Sequence, residues 1–233
     1  MLEGSTATVG TQTIPLQAAI DPLVFVGVAF GVFLFAAIAA PIVLLSVRET
    51  REPTADERDR ITTVAEAADY EPRAVHVVET VGDRSVEVSL RGPPGRRSLI
   101  VTDYVLSELE DETAAALLAA EAGRSTLLYM EYRALAAATV IAIATGMFGG
   151  LIPFSEGLFV LAVAALGLFW GGRRLQFSAD SLAAAQVGPA SLASAFETVA
   201  ALRGIEPEGS TWRTWFEVQP PLGQRVERLR DRS

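Results

Sequence analysis

The sequence predicts a mainly α membrane protein with an α+β cytoplasmic domain: three transmembrane helices and a small antiparallel sheet. Three observations carry this. Half of the 233 residues are hydrophobic, and a mean hydropathy of +0.33 is too apolar for a disordered chain. Three stretches, residues 22–47, 134–155 and 157–172, contain no charged side chain. The polar segments between and after them alternate between strand-like and helix-like hydrophobic periodicity.

Residues 1–21 contain no basic residue and are expected to form an extracellular tail. Residues 22–47 (PLVFVGVAFGVFLFAAIAAPIVLLSV) are long enough to cross a hydrocarbon core of about 30 Å with some tilt. A buried core helix is the bland alternative. A cleaved signal peptide fits less well, because the flank lacks a basic n-region and the apolar run exceeds an h-region. Gly27 and Gly31 have the spacing of a close helix contact, a weak signal in any span.

Residues 48–133 form the first cytoplasmic part. TREPTADERDR (50–60) reads as a charged linker into a helix over 61–68. AVHVVET (74–80) and SVEVSLR (85–91) are strands separated by Gly82-Asp83. A Gly92-Pro93-Pro94-Gly95 turn then leads to a third strand, SLIVT (98–102), completing an antiparallel sheet. A helix starts near Asp111, with Asp111 and Glu112 in the first turn, where the helix dipole favours anions. It is expected to run unbroken into the second span.

Residues 134–172 read as a transmembrane hairpin broken at Pro153. Its short second arm is lengthened by Glu156 at one end and by snorkelling Arg173 and Arg174 at the other. Residues 173–233 form the second cytoplasmic part. LQFSADSLAAA and ASLASAFETVAALR are helical, the latter stopped by Gly204, and Pro220-Pro221 opens a last helix, LGQRVERLRDR. Arg48, Arg51, Arg133, Arg173 and Arg174 flank the spans. The positive-inside rule then puts the N-terminus outside and both main polar segments in the cytoplasm, where they fold together.

Composition removes whole classes of chemistry. The chain has no cysteine, and His76 is its single histidine. Disulfide scaffolds, thiol nucleophiles, thiolate zinc sites and sites needing two imidazoles are excluded. All 19 basic residues are arginine, against 28 acidic ones, and this acidic balance argues against nucleic acid as a partner. It suits a high-salt cytoplasm, although a GC-rich genome also replaces Lys with Arg. His76, in an alternating strand, is more often a satisfied or surface residue than a ligand. Trp212 and Trp215 are interface anchors or, at least as often, packing residues.

The run SLIVTDYVLSELEDETAAALLAAEAGR resembles the core of the HtpX-like membrane zinc metallopeptidases, relatives of the CAAX prenyl proteases. In that family an apolar strand and an acidic helix start precede a helix carrying A-H-E-x-G-H. Its two histidines bind zinc from one face, and the Glu activates the metal-bound water. The match falls on Ala119, Ala120, Glu121, Ala122, Gly123 and Arg124. A pair of spans follows, as here. The family's R-x-x-E-F-x-A-D helix, whose Glu is the third ligand, matches Arg173-Arg174-Leu175-Gln176-Phe177-Ser178-Ala179-Asp180. Its final His-Pro-Pro turn and E-R-I-x-x-L helix match Gln219-Pro220-Pro221 and Glu227-Arg228. The resemblance covers roughly residues 60–233 and adds a zincin-like helical core to the expected fold.

The resemblance assigns Glu121 to the general-base position and Asp180 to a supporting one. It also places Ala120, Arg124 and Gln176 where zinc ligands would stand. Ala offers no donor atom, Arg carries a fixed charge, and an amide oxygen is a poor zinc ligand. No cofactor is therefore expected, although the family uses zinc. Arg124 lies three residues beyond Glu121, so an ion pair is expected to fill the former metal pocket, with Asp180 as second carboxylate partner. Solvent or the membrane surface is an equal alternative for Arg124. The favoured function is a catalytically inactive pseudopeptidase: a peptide-binding or regulatory subunit in the bilayer. Its partners are expected to be membrane-protein clients or an active peptidase relative, with an extended peptide added along 85–91. The alternatives are an active membrane metalloendopeptidase of protein quality control with a rearranged metal site, and a plain structural subunit without a groove.

Overall fold

The structure, a computed structural model, describes residues 21–47, 50–80, 85–202 and 220–232, with the side chains of 22 and 37–47 outside the description. It is 71% helical with a small mixed sheet. The predicted features at Gly82-Asp83, Gly204, Trp212, Trp215 and Gln219 lie outside the described residues.

The first uncharged stretch is helix α1, Pro22–Val47, opened by Asp21, whose carboxylate accepts the Leu23 N–H at 2.8 Å. Among the described residues nothing lies within 4 Å of where a Cβ on Gly27 or Gly31 would stand, so no close contact is seen there. The segment read as a linker is ordered instead. Thr50–Arg51 forms a short strand, β1, and helix α2 already starts at Ala55 and runs to Ala67. Thr54 and Glu57 close a reciprocal capping box that satisfies two otherwise orphaned helix N–H groups. Arg51 grips Glu57 with two hydrogen bonds of 2.6 and 2.7 Å. That grip, against the opposing effect of burial, lowers the Glu57 carboxyl to about 2.

Strands β2 (Val75–Val78), β3 (Val88–Arg91) and β4 (Ser98–Thr102) complete a sheet of order β1-β2-β4-β3. The expected all-antiparallel sheet is thereby corrected: β2 pairs with β4 in parallel, Val75 opposite Leu99, while β3 pairs with β4 antiparallel, Val88 opposite Val101. The most apolar strand explains the order. SLIVT is buried over its last four residues and takes the centre, where a continuous apolar run is covered on both faces. The predicted Gly92–Gly95 turn is present, and the φ of +120° at Gly92 and +75° at Gly95 is open chiefly to glycine. It leaves β3 as an edge strand.

Helix α3 (Asp103–Glu108) leads into α4, Asp111–Thr126. The expected continuous helix from α4 into the next span does not form. Leu128 adopts φ +52°, and α4 is bent by 52° from α5, Tyr129–Phe148. A left-handed leucine costs about 1–2 kcal/mol, and complete burial of the Tyr129 side chain offsets it. Pro153 opens α6 as predicted, but α6 runs without interruption from Phe154 to Val187, joining the third uncharged stretch to the polar helix after it. Among the described residues this helix alone is long and apolar enough to cross a membrane; α4 and α5 reach that standard only as a bent pair, and α1 counts there only over Leu23–Ala36. Of the three expected spans, one is therefore clear among the described residues. Helices α7 (Pro189–Leu202) and α8 (Leu222–Arg230) close the fold.

The core lies between the sheet and the helices, with α4 at its centre against α2, β3, α6 and α7. Ile61, Val77, Leu99, Val101, Leu118, Leu192 and Leu229 are buried in it. Small residues let α4 and α6 meet closely. A Cβ added at Gly123 would lie 2.5 Å from the Ala179 carbonyl oxygen.

Candidate functional site

Helix α4 sorts its residues by face. Ala120 points into the core and is buried. Glu121 and Arg124, one turn apart, line a cavity of about 390 Å³ enclosed by β3, α4, the start of α5, α7 and α8. Arg124 donates to the Glu121 carboxylate. Burial opposes the Arg124 charge, but the charge and hydrogen bond of Glu121, with a smaller contribution from Asp180, outweigh it and raise the guanidinium above its ordinary value. The arginine is therefore a permanent cation in this cavity.

Asp180 acts mainly elsewhere. Both of its oxygens are taken by Arg225 of α8, Nε on Oδ2 at 2.7 Å and a terminal nitrogen on Oδ1 at 2.7 Å. Gln176, one turn earlier on α6, donates to the same Oδ1 at 3.0 Å. Asp180 thus reaches Arg124 only through its field, and its hydrogen bonds hold α8 to α6. Arg225 also stacks over the Phe196 ring at 4.2 Å, a favourable placement for a guanidinium. Gln176 is completely buried, and its Oε1 has no hydrogen-bond partner among the described residues.

As a donor set, Ala120, Arg124 and Gln176 offer one amide oxygen and a fixed cation. They do not fit a zinc ion, whose usual donors are imidazole, thiolate or carboxylate. His76 sits in β2, opposite Ile100, and β4 separates it from β3. Among the described residues no group of three or more His, Asp or Glu comes together in a metal-binding arrangement.

The sequence reading missed the arginines that give the cavity its character. Arg91, Arg97, Arg133 and Arg225 line it beside Arg124. Arg97 is buried and pairs with Glu131 at 2.6 Å. In a chain without lysine, arginines at strand ends and at the start of α5 were visible as charges, but their convergence depends on tertiary contacts. Edge strand β3 forms the opposite wall. The Thr102 N–H donates to the Glu87 carbonyl at 3.1 Å. Antiparallel alternation then directs the backbone groups of Ser89 and Arg91 toward β4 and those of Val88 and Leu90 toward the open edge.

No family model and no curated protein sequence matches the chain. Among solved structures it is similar to the crystal structure of S. mikatae Ste24p, with a TM-score of 0.67 and 13% identity. The match covers 91% of this chain and 59% of that one, so the chain spans less than two thirds of the protein it matches. The likeness shows that the chain shares the fold of the matching part of that structure.

Proposed function

We propose that this protein is a membrane-embedded pseudopeptidase that uses its cleft to bind an extended peptide without cleaving it. One observation carries the reading. The helix face that the HtpX-like resemblance assigns to zinc and its water-activating Glu carries instead an ion pair between Glu121 and Arg124. A dication beside that guanidinium would be strongly repelled, by about 8 kcal/mol at 4 Å and ε of 20, twice the value for two unit charges. Glu121, engaged by Arg124, is oriented as a structural anion. What the cleft retains is an edge strand able to take up a further strand.

In this proposal the uncharged helices α1, α5 and α6 cross the bilayer. The arginines at their ends hold the sheet and α4, α7 and α8 on the cytoplasmic side. The partners are membrane-protein clients or an active peptidase relative to which they are presented.

Metal analysis of the purified full chain, together with casein cleavage by wild type and Glu121→Gln, tests the reading. The expected result is zinc far below one equivalent and no cleavage by either form. Stoichiometric zinc with cleavage abolished by Glu121→Gln would identify an active peptidase with a rearranged metal site and overturn the proposal.

A further inference from the structure

The cleft carries a charge that the chain as a whole does not. Acidic residues outnumber basic ones 28 to 19, yet five arginines and a single carboxylate, Glu121, line the cavity. Three of the arginines are neutralised locally: Arg124 by Glu121, Arg97 by Glu131 and Arg225 by Asp180. Arg91, half-buried at the end of β3, and Arg133, exposed on the first turns of α5, have no ion pair among the described residues. A concave site with surplus charge of one sign focuses its field on whatever enters.

We infer that the ligand of this cleft is an acidic extended peptide, its backbone added to the open edge at Val88 and Leu90 and its carboxylates received by Arg91 and Arg133. The inference rests on the non-catalytic groove proposed above and names the chemistry of its occupant. Two features favour a peptide over an anionic lipid headgroup. The surplus charge lies beside outward-facing strand amides and carbonyls, which a peptide backbone satisfies and a headgroup does not. Separate arginines mark the end of the apolar stretch: Arg173 lies over Phe169 at 5.5 Å and Arg174 over Trp170 at 5.7 Å, outside the cavity lining.

The test uses the full chain in phosphatidylcholine nanodiscs and labelled peptides that alternate Val with Glu, or Val with Gln. The Glu peptide is expected to bind about tenfold more tightly than its Gln counterpart, as two partly exposed charge pairs allow, and to lose that margin at high salt. Arg91→Gln with Arg133→Gln should bring the affinity of the Glu peptide to that of the Gln peptide measured on the same variant. Arg133→Gln alone, at an exposed position, should remove about half of the margin in free energy and keeps the test valid if the double variant misfolds. Equal binding of the two peptides would overturn the acidic preference and leave the groove standing, whereas no binding of either would remove the groove itself. If the double variant lost co-purified phosphatidylglycerol while Glu-peptide affinity stayed the same, the arginines would serve lipid and the inference would fall.

Discussion

The two halves of α6 follow opposite burial rules within one unbroken helix. In the first half large apolar side chains face outward: Phe159 and Leu166 are each 72% exposed and Trp170 66%. In the second half polar side chains face inward, with Gln176 fully buried and Asp180 only 3% exposed. A helix in water does neither, because an exposed apolar face of this size is unfavourable and a buried carboxylate requires a partner. The inversion is coherent if the first half is solvated by lipid and the second is packed into a protein core. Arg173 and Arg174 mark the change of surroundings, and beyond them Leu182 is the one large apolar residue that this helix leaves exposed. One continuous helix thereby couples the proposed span rigidly to α4 and α8, two of the helices that line the cavity.

The sharpest way to break this contrast is to remove the compensation that makes the polar half tolerable. Asp180→Ala leaves Arg225 buried without its anion, and a loss of about 3–5 kcal/mol of stability is expected for an orphaned buried charge. Asp180→Leu combined with Arg225→Met should recover much of that loss, which would assign it to charge and not to helix packing. Thermal unfolding in detergent measures both; equal stability of Asp180→Ala and wild type would refute the role given to the pair. Next in size is a change of the apolar half. Val163→Arg, near its centre, should oppose insertion by about 2.5–3.5 kcal/mol, read as chain lost from the carbonate-resistant membrane fraction. The same new charge at Leu182, exposed on the polar half, should leave that fraction unchanged and alter stability by about 0.5 kcal/mol. Equal effects at the two positions would mean that both halves share one solvent.

Periodicity and charge were enough to place most of the long helical stretches. The uncharged windows became α1, α5 and the first half of α6, Pro153 broke the hairpin, and the i, i+3 spacing of Glu121 and Arg124 became an ion pair. Local chemistry was also present where it was not used: Thr54-x-x-Glu57 is a capping-box pattern inside the segment read as a linker. What could not be read depends on distant residues. No Gly or Pro marks the bend at Leu128, which is held by burial of Tyr129. The parallel pairing of β2 with β4 depends on which strand is most deeply covered. Asp180 and Arg225 are 45 residues apart, and no local pattern links them. The cavity's surplus charge is of the same kind, since its arginines come from β3, α4, α5 and α8 and from the approach to β4.

The smallest expected effect compares the two halves at their glycines. Gly123 faces the polar half, and an added Cβ would stand 2.5 Å from the Ala179 carbonyl oxygen, an atom fixed in the α6 backbone. Gly157 begins the apolar half, and there the obstacle is the Met147 side chain, its Cγ at 2.2 Å and its sulfur at 2.8 Å, which a change of the Met147 side-chain rotamer can move aside. Both substitutions to Ala gain about 1 kcal/mol of helix propensity. At Gly123 the gain is opposed by separation of α4 from α6, an overpacking cost of about 1–3 kcal/mol, so Gly123→Ala should lower the melting temperature in detergent. Gly157→Ala should leave it nearly unchanged, because a methionine repacks where a helix backbone does not. The reverse order would show that the proposed span is the tighter packed half and that α4 rests loosely on α6, which would undo the rigid coupling between the membrane and the cavity.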